Sequence, residues 1–128
     1  MALGEYVKEV MKRAKARAII LYGSRAQGRH KPWSDYDVLI VAEDLPEWSL
    51  RWELIHPPKM TIPIEAKAYT PDEFIEALRL CRMHALDAVS EGKILFDSGF
   101  MAEAKKVFEE VKRTRRLEKT VLGWRALS

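Results

Sequence analysis

The chain has 128 residues, of which 48% are hydrophobic and 32% are charged. That length predicts one domain over residues 1–128, and that apolar fraction allows a core without disulfides or a structural metal. The single cysteine, Cys81, excludes a disulfide framework and a cysteine-rich zinc site. No apolar run reaches the roughly 20 residues of a membrane helix, and the N-terminus lacks the apolar core of a signal peptide. We therefore expect a cytoplasmic domain that does not enter a membrane.

Charge is distributed in blocks along the chain. Residues 1–31 carry a net charge of +6, residues 32–100 carry −7 and residues 101–128 carry +4. Such blocks often mark surfaces that meet an oppositely charged partner, although charged helix faces are more often simply solvent faces. Nucleic-acid binding through the basic ends is therefore one alternative, and it would show a steep dependence on salt concentration.

Hydrophobic periodicity predicts the element order α-β-β-α-β-α-β-α. Thr70, Pro71 and Glu73 form the pattern of a capping box, which marks the start of the third helix. The order predicts an α/β (α+β) domain with a mixed, mainly four-stranded sheet flanked by helices. The predicted elements are a helix over 4–15, strands over 18–22 and 36–41, a loop with a short helix over 42–58, a strand over 60–69, a helix from 70 to about 90 that a break could interrupt, a strand over 93–97, and a long amphipathic helix over about 99–121 followed by a short tail.

A polar turn follows the first predicted strand. Gly23 lets the backbone come close to a ligand, and the N–H groups of the turn, with the Ser24 hydroxyl, can hold phosphate oxygens. Arg25 adds a guanidinium group that can bind phosphate through two hydrogen bonds. These residues therefore predict a phosphate-binding turn.

Carboxylates gather around the next two predicted strands. Asp35 and Asp37 are two positions apart, so both side chains project from one face, where they would repel each other without a cation. Oxygen ligands of this kind suit Mg²⁺, and Glu65 on the neighbouring strand would complete a two-metal site. Lys67 shares the face of Glu65 and is either a phosphate contact or a charge partner of the acids.

The sequence contains a motif made of Gly-Ser, ten intervening residues and Asp-x-Asp, with a hydrophobic strand on each side. This motif resembles the signature of the DNA polymerase beta-like nucleotidyltransferase superfamily. The GSRAxG form and the short length are similar to its minimal nucleotidyltransferase (MNT) branch, and the resemblance is strongest over residues 17–41. It implies the nucleotidyltransferase fold, with Gly23 and Ser24 on the phosphates of a nucleotide. It further implies two Mg²⁺ ions on Asp35 and Asp37, with Glu65 in the place of the third carboxylate, which helps to deprotonate the attacking hydroxyl.

The same resemblance implies a reaction and a partner. Stand-alone MNT proteins resemble antitoxins that pair with a HEPN-domain protein, so we expect AMP transfer from ATP, or transfer from another NTP, to a hydroxyl of such a partner. Glu65 stands where the family more often has Asp. This departure motivates an alternative, a catalytically weak binding module that neutralises its partner by occlusion. Modification of a small molecule is a further alternative, although no added substrate domain is evident. Nucleic acid is not expected as a substrate, and a homo-oligomer is left open.

Overall fold

The computed structural model describes residues 3–58 and 60–127. None of the helices in that part of the chain is both long enough and apolar enough to span a membrane. The elements are α1 (Leu3–Arg13), β1 (Lys15–Tyr22), β2 (Tyr36–Glu43), α2 (Trp48–Ile55), β3 (Ile64–Tyr69), α3 (Pro71–Arg79), α4 (Met83–Glu91), β4 (Lys93–Asp97), α5 (Phe100–Thr114), β5 (Leu117–Thr120) and β6 (Gly123–Ala126).

The main sheet has four strands in the order β3-β2-β1-β4. Strand β1 pairs antiparallel with both β2 and β4, whereas β2 and β3 are parallel. The predicted mixed, four-stranded sheet flanked by helices is therefore confirmed. The two central strands, β1 and β2, carry continuous runs of buried residues, because side chains of a central strand meet helices above and below the sheet.

Each face of the sheet carries its own core. On one face, Ala18, Ile20 and Leu39 pack against α3, α4 and α5. On the other face, Ile19 and Ile40 pack against α1, where the Tyr6 hydroxyl donates a 2.7 Å hydrogen bond to the carbonyl of Ile55. Since side chains alternate along a strand, the neighbours within one apolar run supply both cores.

Local signals place most of the element ends. The Thr70 hydroxyl accepts from the backbone N–H of Glu73, and the Glu73 carboxylate accepts from that of Thr70, so the predicted capping box begins α3. The helix predicted from 70 to about 90 is interrupted after Arg79, and Cys81 lies in the left-handed region at φ 56°. Strand β3 begins at Ile64 rather than at residue 60, because Pro63 has no N–H with which to extend the ladder.

The end of the chain differs from the prediction. The helix predicted over about 99–121 ends at Thr114, and β5 and β6 form an antiparallel hairpin in place of its last turns. Arg116 and Gly123 have φ values of 52° and 122°, which end the helix and turn the hairpin. Both Lys119 Nζ and Trp124 Nε1 contact Asp87 Oδ1, at 2.5 and 2.8 Å, so α4 holds the hairpin in place.

Arg51 ties α2 to the neighbouring elements. It is only 6% exposed, and its guanidinium donates to the carbonyl of Ala68 at 3.1 Å. It also makes two hydrogen bonds to the carboxylate of Glu73, at 2.7 and 3.1 Å. The hydrogen bonds from Arg51 hold the pKa of Glu73 below its ordinary value. One buried cation thus connects α2, β3 and the start of α3.

Arg51→Met is expected to lower the free energy of unfolding at neutral pH by about 1.5–3 kcal/mol, because hydrogen bonds to charged groups are lost. The contribution of Glu73 is complete above the ordinary glutamate pKa of about 4.3 and is lost as the pH falls through the lowered native pKa. Urea unfolding at about pH 7 and about pH 3 should therefore show a smaller acid-induced loss in the variant than in the parent.

Lys105→Met, which removes an exposed charge from α5, is the control and should keep the parent's dependence on pH. An equal acid-induced loss in the parent and in Arg51→Met would show that the pair of Arg51 and Glu73 does not govern acid stability.

Candidate active site

Two of the three predicted carboxylates, those of Asp37 and Glu65, are neighbours where β2 and β3 begin. In the parallel ladder Asp37 pairs with Glu65, and in the antiparallel ladder Tyr22 pairs with Asp37. Paired residues of adjacent strands point to the same face, so these side chains share the face that packs against α3, α4 and α5. Asp35 lies one residue before β2 and is exposed. The topology thus brings together Asp37 and Glu65, which are 28 positions apart in the sequence.

Charge repulsion acts within this group. Burial raises the pKa of Asp37, and the negative charges of Glu65 and Asp35 raise it further, while Lys67 opposes the shift. Glu65 and Asp35 therefore lie close enough to Asp37 to disfavour its ionised form. A bound cation would remove that penalty.

Gly23 brings the turn after β1 against Asp37. Its φ is +76°, and a Cβ built there would collide with Oδ2 of Asp37 and lie 3.2 Å from its Cγ. The carbonyl of Gly23 accepts from the N–H groups of Ala26 and Gln27 at 3.2 and 3.3 Å, which closes the turn. Glycine is required here by both the backbone conformation and the close approach. The predicted phosphate turn consequently adjoins the carboxylates, with Ser24 half-buried in it.

Arg25 is engaged with the loop that follows. Its Nε donates to the carbonyl of Ser34 at 2.9 Å, and its guanidinium lies 4.0 Å from the centre of the Tyr36 ring. These contacts hold the segment that carries Asp35. Binding of phosphate by Arg25 remains a prediction. Arg25 would have to reach the phosphate while keeping its contacts with Ser34 and Tyr36, or it would have to break them.

Lys67 lies beside the acids. Its Nζ is 3.5 Å from Oε1 of Glu65, and its charge lowers the pKa of Asp37. Of its two predicted roles, this placement favours the charge partner over the phosphate contact.

The structure adds side chains that sequence reasoning did not assign to the site. Tyr22 is 8% exposed, and its pKa is raised by burial and then by the charge of Asp37. The Tyr69 hydroxyl is hydrogen-bonded to Nε2 of His84, and burial, followed by the charge of Lys67, lowers the pKa of that histidine. The sequence signal for Tyr22 was its position directly before Gly23. No local sequence pattern predicts the contact between Tyr69 and His84.

The donor set has the chemistry of a Mg²⁺ site but not a preformed group of three ligands. Within residues 3–58 and 60–127, no group of three or more His, Cys, Asp or Glu side chains is placed to hold a metal ion. The oxygens of Asp37 and Glu65 nevertheless have the chemistry that Mg²⁺ prefers, because this ion usually takes one or two carboxylates and completes its shell with water and substrate phosphates. The residues present therefore fit Mg²⁺ as a carboxylate pair on adjacent strands.

Comparisons with solved structures identify proteins of the same fold. A chain in the crystal structure of a toxin–antitoxin with AMP-PNP matches with a TM-score of 0.61 and 19% identity, over 90% of this chain and 94% of that one. A chain in the complex of a tri-AMPylated Shewanella oneidensis HEPN toxin with its MNT antitoxin matches with a TM-score of 0.53 and 18% identity, over 88% and 87%. A chain of the MntA–HepT toxin–antitoxin gives 0.54 and 17%, over 88% and 90%.

Sequence comparison identifies the family. No curated protein matches the chain significantly. The family described as "Polymerase beta, Nucleotidyltransferase" matches residues 5–98, which include the turn at Gly23 and the carboxylates of β2 and β3. Those residues make up more than half of the chain. The chain therefore belongs to the polymerase beta nucleotidyltransferase family.

Proposed function

We propose that this chain is a Mg²⁺-dependent nucleotidyltransferase that moves AMP from ATP to a hydroxyl of a HEPN-domain partner protein, as the antitoxin of a toxin–antitoxin pair. The observation that carries the proposal is the register of Asp37 against Glu65, with the Gly23 turn closed against Asp37. Support for the nucleotide and the partner comes from structural neighbours, one a toxin–antitoxin with AMP-PNP and another a tri-AMPylated HEPN toxin in complex with an MNT antitoxin.

In the proposed reaction, the acceptor hydroxyl oxygen forms a bond to the α-phosphorus of ATP. The bond between that phosphorus and the oxygen bridging to the β-phosphate breaks, and pyrophosphate leaves with the electron pair. The hydroxyl proton passes to the carboxylate of Glu65. The turn at Gly23 and Ser24 holds the phosphates through its backbone N–H groups and hydroxyl.

Asp35, Asp37 and Glu65 are the residues that would hold Mg²⁺, which when bound stabilises negative charge on the attacking and leaving oxygens. Lys67 balances the charge of the carboxylates, since it lies against Glu65. Arg25 keeps the loop before Asp35 in place through the carbonyl of Ser34. The protein's contribution is thus positioning and electrostatics.

The test is incubation of the purified chain with Mg²⁺ and ATP labelled at the α-phosphate, with and without a candidate HEPN-domain partner protein. We expect label on the partner with the parent chain and none with Asp35→Asn. Label that persists in the variant would contradict the assigned role of Asp35, and absence of label in the parent would contradict the transferase proposal.

One observation favours a second candidate function, a binding module that neutralises its partner by occlusion. Glu65 is paired with Lys67 rather than grouped with two other ligands, and no three-carboxylate group is preformed in the part of the chain that the structure describes. This function predicts that a variant with both Asp35→Asn and Asp37→Asn still binds and neutralises the partner. Loss of neutralisation in a folded, partner-binding double variant would exclude it.

A further inference from the structure

A cleft of about 580 Å³ lies beyond the carboxylates, between β3 and the helices α2, α3 and α4. We call it the β3 cleft. Its lining combines aromatic and acidic side chains. Its aromatic residues are Trp48, Tyr69 and His84, and its acidic residues are Asp72, Glu73 and Glu76.

The β3 cleft opens on the same face of the sheet as the carboxylates. Glu65, Lys67 and Tyr69 alternate along β3, so they project to one side. Tyr69 follows Glu65 by four residues, a distance of about 13 Å along a strand. The cleft and the carboxylates therefore lie on the same face of the sheet, with Tyr69 at the border of the cleft.

The charge of the side chains that line the β3 cleft indicates which ligands it can bind. Asp72 and Glu76 outweigh the single cation in its lining, Arg82, whereas the charge of Glu73 is balanced by the buried Arg51. The lowered pKa of His84, caused mainly by burial, favours its neutral form. A triphosphate would be repelled by this lining. A lysine or arginine side chain would be attracted by the carboxylates of Asp72 and Glu76 and could contact Trp48, which is 56% exposed although Arg51 covers one face of its ring.

We propose that the β3 cleft is a subsite for the acceptor protein and binds one of its lysine or arginine side chains. That side chain lies about four residues of extended chain away from the hydroxyl that is modified. The proposal rests on the proposed function in one respect, namely that the acceptor is a protein. The bound lysine or arginine lies on the same side of the site as Glu65, which accepts the proton. The Gly23 turn remains free to bind the nucleotide.

The test is NMR titration of the ¹⁵N-labelled chain with synthetic peptides of nine residues. The first peptide carries one tyrosine with an arginine four residues away, and the second replaces that arginine with glutamate. We expect the first peptide to shift the indole signal of Trp48 and the amide signals of Leu80 and His84. The indole of Trp124, which donates to Asp87 in the hairpin, should not move. The glutamate peptide should bind about tenfold more weakly or worse.

Variants of the cleft complete the test. Glu76→Lys should abolish the response to the arginine peptide, and Glu76→Gln should weaken it. Glu110→Lys, an exposed change on α5, is the matched control and should leave it intact. Equal shifts with both peptides, or none from the arginine peptide at about 5 mM, would overturn the proposal.

The failure of this proposal can be told apart from failure of the proposed function. Mg²⁺ with ATP should move the amides of Ser24 and Arg25 and leave the indole of Trp48 unmoved. A shift of Trp48 by the nucleotide would assign the cleft to the base and overturn the acceptor subsite. If Glu76→Lys still transfers label to the partner with an unchanged KM for the partner, the subsite proposal is contradicted. The proposed transferase activity would remain supported by that result.

Discussion

Asp37→Asn is expected to reduce nucleotidyl transfer by about 10³-fold, the upper range for removal of one electrostatic contact from an active site. The substitution keeps the shape of the side chain and removes a charge that faces Glu65 across the ladder. The same change should not destabilise the fold. Burial and the charges of Glu65 and Asp35 raise the pKa of Asp37, so its ionised form costs stability at neutral pH, and a neutral amide removes that cost.

Two measurements on the same variant check this expectation. Transfer of label from ATP should fall to background, while the urea midpoint at about pH 7 should stay equal or rise. Asp44→Asn, at the other end of β2, is the control and should retain both activity and stability, because Asn tolerates the positive φ found there. Activity retained in folded Asp37→Asn would show that this carboxylate does not take part in transfer.

Gly23→Ala is expected to reduce transfer by about 10²-fold, because a displacement of roughly 1 Å in a catalytic group has an effect of this size. The added Cβ would collide with Oδ2 of Asp37. Either the turn or the carboxylate must then move. The left-handed backbone adds a stability cost of about 1–2 kcal/mol.

Gly28→Ala separates these two effects. Gly28 has nearly the same φ, +73°, but a Cβ there meets nothing within 4 Å. Both variants should therefore lose similar stability in urea unfolding, and Gly23→Ala alone should lose activity beyond about threefold. Comparable activities in the two variants would mean that contact between Gly23 and Asp37 does not matter for transfer.

Local sequence signals were sufficient for most elements. Continuous apolar runs identified the central strands, and the pattern of Thr70, Pro71 and Glu73 identified the start of α3. The spacing of the Gly-Ser turn and Asp-x-Asp identified both halves of the motif. The first half follows one predicted strand, and the second half stands at the beginning of the next. These signals act within one turn or one strand, so no knowledge of the rest of the chain is required to interpret them.

The end of α5 shows where local signals failed. Leu117 and Val121 continue the apolar spacing of α5, yet Leu117 is buried in β5 and Val121 is fully exposed at the tip of the hairpin. Asp87 on α4 holds the hairpin in place by binding Lys119 and Trp124. Periodicity within one segment carries no information about that contact, which joins residues more than 30 positions apart.

The sequence by itself determined the composition of the site: a glycine turn, an Asp-x-Asp pair and an acid on a neighbouring strand. Only the tertiary structure decided how they meet, through the register that sets Asp37 against Glu65 and through the closure of Gly23 onto Asp37. It also decided that Lys67 serves Glu65, that Tyr69 meets His84, and that a cleft lined in part by acidic side chains adjoins them. The physical reason is that strand alternation sets the face of each side chain locally, whereas the register between parallel strands is set by the packing of the helices and loops that connect them.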